Sequence, residues 1–351
     1  MINIALLGAG IFAREQHLPA IESNPAFSLK AIYSRSQTSA SALASHATAT
    51  TAPDVYYDTP SIPSTEDKSL AALLARADIH AVVIALPILA QPAVIRRAIE
   101  AGKHVLSEKP VAGDLEAARE LVGWYEGLAA GGRPVWAVAE NYRFIPSLGY
   151  AKDEVERVGG GLTTYSMWRN GMVRRGDKYF ETGWRKVPEY QGGFLLDGGV
   201  HFVAALRMLL AGAGHEIRRV AAFSGLLEEH LVPVDTVSAV AVTGGGRSGT
   251  IHMSFGTEFK SGFEIEVVTT EGRVVWTPTR VRTVKRGEEE VVKEFEYSTG
   301  VKEEAVAFGE AVERGEVEGR QSPREALKDL EILQRLLESG EGGAVVKDVG
   351  A

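Results

Sequence analysis

Apolar runs of strand length alternate with helical stretches through the first 140 residues. Ile2-Asn3-Ile4-Ala5-Leu6-Leu7 opens the chain as a buried strand. Leu29 to Ser34, Val55 to Tyr57, Ala81 to Leu86, His104 to Ser107 and Val135 to Val138 read as further strands. Between them the pattern predicts an alanine- and serine-rich helix reaching about His46, then helices over Leu70 to Ala77, Pro92 to Ala101 and about Leu115 to Leu128. Gly102 stands where a helix C-terminus favours glycine. This alternation predicts a parallel, doubly wound α/β sheet over residues 1–140.

Beyond about Arg143 the pattern changes. Leu162 to Trp168, Val220 to Leu226, Thr236 to Val242, Gly249 to Phe255, Phe263 to Thr269, Val274 to Trp276, Arg280 to Val284 and Val291 to Tyr297 read as strands. Short links such as Gly244-Gly245-Gly246 and Glu271-Gly272 join most of them. Hairpin-length links predict a large open, mainly antiparallel sheet in an α+β domain over 141–351. Helices near His201, Glu303 and Pro323 would cover it.

Composition narrows the function classes. The 351 residues suit two domains, and 45% hydrophobic with 24% charged residues is a globular balance. The net charge is −8 with the basic residues scattered, so no nucleic-acid partner is expected. Cysteine is absent, which removes disulfides and thiolate chemistry. No stretch reads as the ~20 apolar residues of a membrane span, and the opening apolar run lacks a basic segment ahead of it, so a cytoplasmic protein is expected. No histidine–carboxylate spacing predicts a metal site.

The first strand runs directly into Gly8-Ala9-Gly10-Ile11-Phe12-Ala13. A buried strand turning on small residues into a helix is the dinucleotide-binding fingerprint of a Rossmann domain. Gly8 permits the tight turn, Gly10 lets backbone approach a pyrophosphate, and the helix start offers N–H groups to it. Ile11 and Phe12 belong to the same turn. The second strand ends in Tyr33-Ser34-Arg35-Ser36, without the carboxylate that grips the ribose of NAD. Arg35 and Ser34 there favour a 2′-phosphate, so NADP is expected, with NAD possible; the bland reading of Arg35 is a solvated strand end. In Glu108-Lys109-Pro110 a lysine leaves the carboxyl end of a strand, where open α/β sheets bind ligands.

With Ala101-Gly102-Lys103-His104-Val105-Leu106-Ser107-Glu108-Lys109-Pro110 and Gly192-Gly193-Phe194-Leu195-Leu196-Asp197-Gly198-Gly199-Val200-His201, the turn resembles the glucose–fructose oxidoreductase / inositol dehydrogenase (Gfo/Idh/MocA) family. Asn141 to Phe144 and Trp184-Arg185 extend the resemblance over nearly the whole chain. It implies hydride transfer between nicotinamide and a hydroxyl or carbonyl of a sugar, polyol or cyclic diol. It also implies an oligomer, a dimer through the C-terminal sheet. Lys109, Asp197 and His201 match the family's catalytic positions. Spacing agrees independently, because residues 197 and 201 share a helix face and a neutral imidazole suits general-base work. A helix cap at Asp197 and a core histidine at 201 are the structural alternatives.

Glu108, Trp184 and Arg185 are further cofactor candidates, and Tyr142 and Arg143 join Asp197 and His201 as substrate candidates. Trp168, Arg169 and Tyr179 offer stacking faces or an anion site, or else sheet core and surface. The stretch Leu86-Pro87-Ile88-Leu89-Ala90-Gln91 departs from the family's Thr-Pro-Asn-like turn and following histidine. Leu86, Pro87 and Gln91 therefore take the cofactor contacts there. Two other activities stay open: a non-catalytic NAD(P) sensor on this fold, and an NAD-dependent glycoside-cleaving enzyme.

Overall fold

The computed structural model describes residues 1–48, 51–59, 67–129 and 131–350. They divide into two compact units, residues 1–140 with 301–326, and residues 141–300 with 327–351.

The first unit is built on β1 (Ile2–Leu7), α1 (Leu18–Ser23), β2 (Phe27–Ser36), α2 (Gln37–Ala44), β3 (Asp54–Thr59), α3 (Leu70–Leu74), β4 (Ala81–Ile84), α4 (Gln91–Glu100), β5 (His104–Glu108), α5 (Leu115–Glu126) and β6 (Trp136–Ala139). Its six strands are all parallel, in the order β3-β2-β1-β4-β5-β6. Ile4 to Leu7 and all of β4 are buried, as strands covered on both faces must be. The side chains of Ser36, Ser69 and Asp114 cap α2, α3 and α5. Because β1 lies between β2 and β4, the order reverses at the ends of β1 and β4, where such sheets open a crevice.

One further helix completes this core. Val301, Ala305, Phe308 and Ala311 of α9 (Val301–Arg314) join Ile4, Leu6, Ile32, Leu106 and Ala137 in a single cluster. The Asn24 side-chain amide also donates to the Ala305 carbonyl (3.3 Å). The boundary expected from the sequence put 301–326 in the second domain. An amphipathic helix goes where its apolar stripe is received, and α9's is received by the parallel sheet.

The second unit contains α6 (Pro146–Val158), β7 (Leu162–Asn170), α7 (Gly183–Lys186), α8 (Gly193–Gly212), β8 (Ile217–Gly225), β9 (Thr236–Thr243), β10 (Ser248–Ser254), β11 (Gly262–Thr269), β12 (Gly272–Thr277), β13 (Arg280–Lys285), β14 (Val291–Glu294) and β15 (Lys347–Asp348). These strands form one nine-stranded sheet in the order β14-β13-β12-β11-β7-β10-β9-β8-β15. All neighbours are antiparallel except β7 and β10. Helix α10 (Pro323–Glu341) starts in the first unit and continues into the second.

Strand β9 alternates cleanly, with Val237, Ala239 and Ala241 buried and Ser238 and Val240 outward. Helix α8 is long and apolar enough by length and composition to cross a membrane, contrary to the sequence reading. Two-thirds of it is buried within the fold, so its hydrophobicity belongs to a core helix. Gly198 and Gly199 let it lie close to its neighbours. A Cβ at Gly198 would sit 2.7 Å from the Phe255 ring, and one at Gly199 would sit 3.1 Å from Leu333 of α10.

Candidate active site

In the first unit the expected cofactor residues gather at the carboxyl ends of β1, β2, β4 and β5. Gly8 has φ +118°, and its N–H extends the ladder to the Tyr33 carbonyl (2.8 Å). A Cβ there would lie 2.1 Å from the Ala85 carbonyl oxygen, so only glycine fits. Gly10 is exposed, and a Cβ on it would meet no atom within 4 Å. Ile11 and Phe12 follow at half-buried positions, and Ala13 to His17 form a single π-helical turn.

That turn is tied to the Glu-Lys-Pro strand end. His17, 2% exposed, places Nε2 2.6 Å from Glu108 Oε1. Glu108 Oε2 accepts the Lys109 backbone N–H (3.2 Å), and Phe12 packs edge-on against the His17 ring. Glu108 is thus engaged in joining two loops of the crevice. Lys109 is half-buried beside it.

Arg35 is exposed at the end of β2 next to half-buried Ser34, and no carboxylate pairs with it among the described residues. The two carboxylates on the adjoining strand are spent elsewhere: Asp58 accepts the Tyr33 hydroxyl (2.5 Å) and the Leu70 N–H (3.1 Å), and Asp54 pairs with Arg76 (2.6 Å). Burial and that carboxylate push the Tyr33 phenol up. Leu86 and Pro87 are half-buried beyond β4. Gln91, at the start of α4, is fully buried, yet neither amide atom has a partner among the described residues.

Buried amides are nearly always satisfied, so the unpartnered Gln91 amide marks a place in this unit for a further polar atom. An open Gly10 surface and a Gly8 turn stripped of side chains add a cradle of the dinucleotide type. The residues present fit a nicotinamide dinucleotide.

In the second unit, left-handed Gly192 opens α8, and Asp197 and His201 follow one turn apart. Asp197 is 5% exposed and accepts a bond from Arg185 Nε (2.7 Å), where α7 presents that side chain. This gives Arg185, expected at the cofactor, a carboxylate partner within the second unit. Trp184 lies against the same guanidinium (4.0 Å from its ring). The His201 imidazole stacks on Tyr142, with centroids 4.5 Å apart and planes within 13°.

Arg143 departs from expectation. Buried at 5%, it donates twice to Asp329 (2.7 and 2.5 Å), which also accepts from Arg207 (2.5 Å). Inside the unit it shares the Asp329 carboxylate with Arg207, an engagement the sequence did not predict.

Two side chains escaped the sequence reading. The Tyr190 hydroxyl is buried without a partner among the described residues, and burial with the Asp197 charge pushes its phenol up. Its loop, Pro188-Glu189-Tyr190, carries no sequence signal. The other is His17, which the structure makes the link to Glu108.

Comparison with known proteins agrees with this architecture. Residues 2–127 match the oxidoreductase family with an NAD-binding Rossmann fold, and residues 162–275 match the GFO/IDH/MocA C-terminal domain. The chain is 50% identical to dehydrogenase FPY6 of Fusarium mangiferae, over 97% of this chain and 96% of that one. It is 26% identical to a D-xylose 1-dehydrogenase (NADP(+)) of Haloferax volcanii, over 97% and 98%. The crystal structure of an oxidoreductase from Thermotoga maritima superposes with a TM-score of 0.83 at 28% identity, over 97% and 96%. Two domain matches in the expected order, together with this site, make the chain a member of the Gfo/Idh/MocA family of NAD(P)-dependent oxidoreductases.

Proposed function

We propose that this enzyme uses NADP and acts on a hydroxyl/carbonyl pair of a sugar, polyol or cyclic diol. The observation that carries the chemistry is the α8 pair, with Asp197 fixed by Arg185 one turn before His201, and His201 backed by Tyr142. The choice of NADP is supported by Arg35, a cation at the end of β2 without a carboxylate partner among the described residues, and by the NADP(+) named for the Haloferax volcanii relative.

The nicotinamide, when bound, supplies the hydride chemistry. Gly8, Gly10, Ile11 and Phe12 would hold the pyrophosphate side, and Ser34 and Arg35 the 2′-phosphate. Leu86, Pro87 and Gln91 would line the ribose and ring, Gln91 with an amide that has both donor and acceptor to offer. His201 takes up the substrate hydroxyl proton at an imidazole nitrogen in oxidation and returns it in reduction. Lys109 donates from Nζ to the reacting oxygen. Asp197 orients the substrate, its own geometry locked by Arg185. Tyr142 fixes the imidazole plane by stacking and offers a ring face beside the substrate.

Replacing Lys109 tests the assignment. In Lys109→Ala, kcat for NADP(H) turnover with a pentose or hexose panel should fall about 10²-fold or more, the scale of a lost proton-transfer partner. NADPH affinity by fluorescence titration should stay within about 3-fold. Unchanged turnover removes Lys109 from the mechanism, and absence of turnover by the parent enzyme across the panel rejects the sugar class.

A further inference from the structure

Arg169 lies at the end of β7, on the sheet face that carries the buried Tyr165 and Met167. Its guanidinium is half-buried over the rings of Phe255 (4.6 Å) and Phe202 (5.4 Å), the latter adjacent in sequence to His201. It acts electrostatically on Tyr142, the ring stacked on His201. One N–H reaches the Ser254 carbonyl (3.3 Å), and no carboxylate pairs with it among the described residues.

Three buried aspartates of this unit are already engaged. Asp197 is held by Arg185, and Asp329 by Arg143 and Arg207. Asp235 accepts from the Leu227 and Glu228 amides and from Thr236. A guanidinium withdrawn from water without a counter-charge is costly, and burial depresses its proton affinity accordingly. Among the described residues only one of its five N–H donors has a protein acceptor, in a group whose planar fork matches an oxyanion bidentately. Beside His201, Tyr142 and Phe202 stands a permanent cation with no carboxylate paired to it among the described residues.

We propose that Arg169 is a substrate-specificity residue that binds an oxyanion, a carboxylate or a phosphate ester, carried by the hydroxylated substrate. This rests on the oxidoreductase reading of the same site, and it narrows the substrate from neutral sugars to acidic ones. The Phe202 and Phe255 rings hold the guanidinium between them by cation–π contact.

The test compares matched ligands on the full chain. Calorimetric titration of the NADP-loaded protein uses D-galacturonate, D-galactose 6-phosphate and neutral D-galactose. One or both anions should bind at least 10-fold more tightly than D-galactose, and which one does so separates carboxylate from phosphate. Arg169→Met should weaken that anion about 100-fold, lowering the acid-to-neutral ratio of affinities and of kcat/KM. Arg169→Lys should recover part of the loss, because it restores the charge without the fork. A merely structural arginine would lower the unfolding midpoint of Arg169→Met while leaving those ratios unmoved, and that result overturns the proposal. So does equal binding of all three ligands by the parent enzyme. Arg169-dependent anion binding without turnover of any sugar would refute the oxidoreductase assignment and leave the anion site standing.

Discussion

At the two fingerprint glycines, one added methyl should have opposite consequences. Gly8→Ala must place its Cβ 2.1 Å from the Ala85 carbonyl oxygen at φ +118°. We expect at least about 2 kcal/mol of lost stability together with lost NADPH binding. Gly10→Ala has open space around its Cβ, so thermal unfolding should change by no more than about 0.5 kcal/mol. Its methyl would stand on the exposed cradle, and NADPH affinity should fall by roughly 10-fold. Equal thermal losses in the two variants would contradict this division. Arg35→Asp tests selectivity at the same scale. NADP(H) affinity should drop about 100-fold and NAD(H) affinity far less, through charge reversal beside a phosphate. Equal losses for the two cofactors would refute the phosphate role.

At the scale of elements, α9 shows which information a sequence withholds. Phe308 is fully buried in the core of the parallel sheet, against Phe27 (6.3 Å between rings). Phe308→Ala should destabilise by about 3–5 kcal/mol, read from chemical denaturation. NADPH binding should weaken with it, since the lost packing lies in the nucleotide unit. An undisturbed nucleotide affinity after clear destabilisation would show that α9 supports the other unit instead. The helix near Glu303 was legible, because Val301, Ala305, Phe308 and Ala311 repeat at helical spacing. Its destination was not, since a stripe records that a face is buried and not which core receives it. Strands were legible for the complementary reason: β4 is apolar throughout and β9 alternates, two patterns with one reading each. Helix α6 was missed, because Pro146 to Val158 mixes charges among its apolar positions and lies where the strand pattern begins. The site divides similarly. The four-residue step from Asp197 to His201 is local and readable, whereas Arg143 meets Asp329 across 186 positions.

For the whole molecule, two imidazoles contribute to the loss of stability just below neutral pH, one in each unit. His104 Nδ1 accepts the Val135 N–H (3.0 Å), so it must be unprotonated there. Burial and the neighbouring His80 hold it below the ordinary value of 6.5. His252 lies between Ser238 (2.8 Å) and Asn170 (3.0 Å), and burial with the Lys260 charge depresses it too. Each binds fewer protons folded than unfolded. Stability should therefore be at its full value above about pH 6.5 and decline as pH falls below it toward the depressed folded values. Unfolding midpoints between pH 7.5 and 5.5 check the sign. His104→Gln with His252→Gln should flatten the decline, and an unaltered slope would assign it to other groups.

The return of residues 301–326 to the first unit also orders events on the ribosome. An N-terminal unit ordinarily folds while the rest of its chain is still being made. Here its last core helix is translated only after the entire 141–300 segment. At about 5–20 residues per second that wait is on the order of 10–30 s. Through it the apolar surface destined for Phe308 stays uncovered, a window in which a holding chaperone would have something to grip.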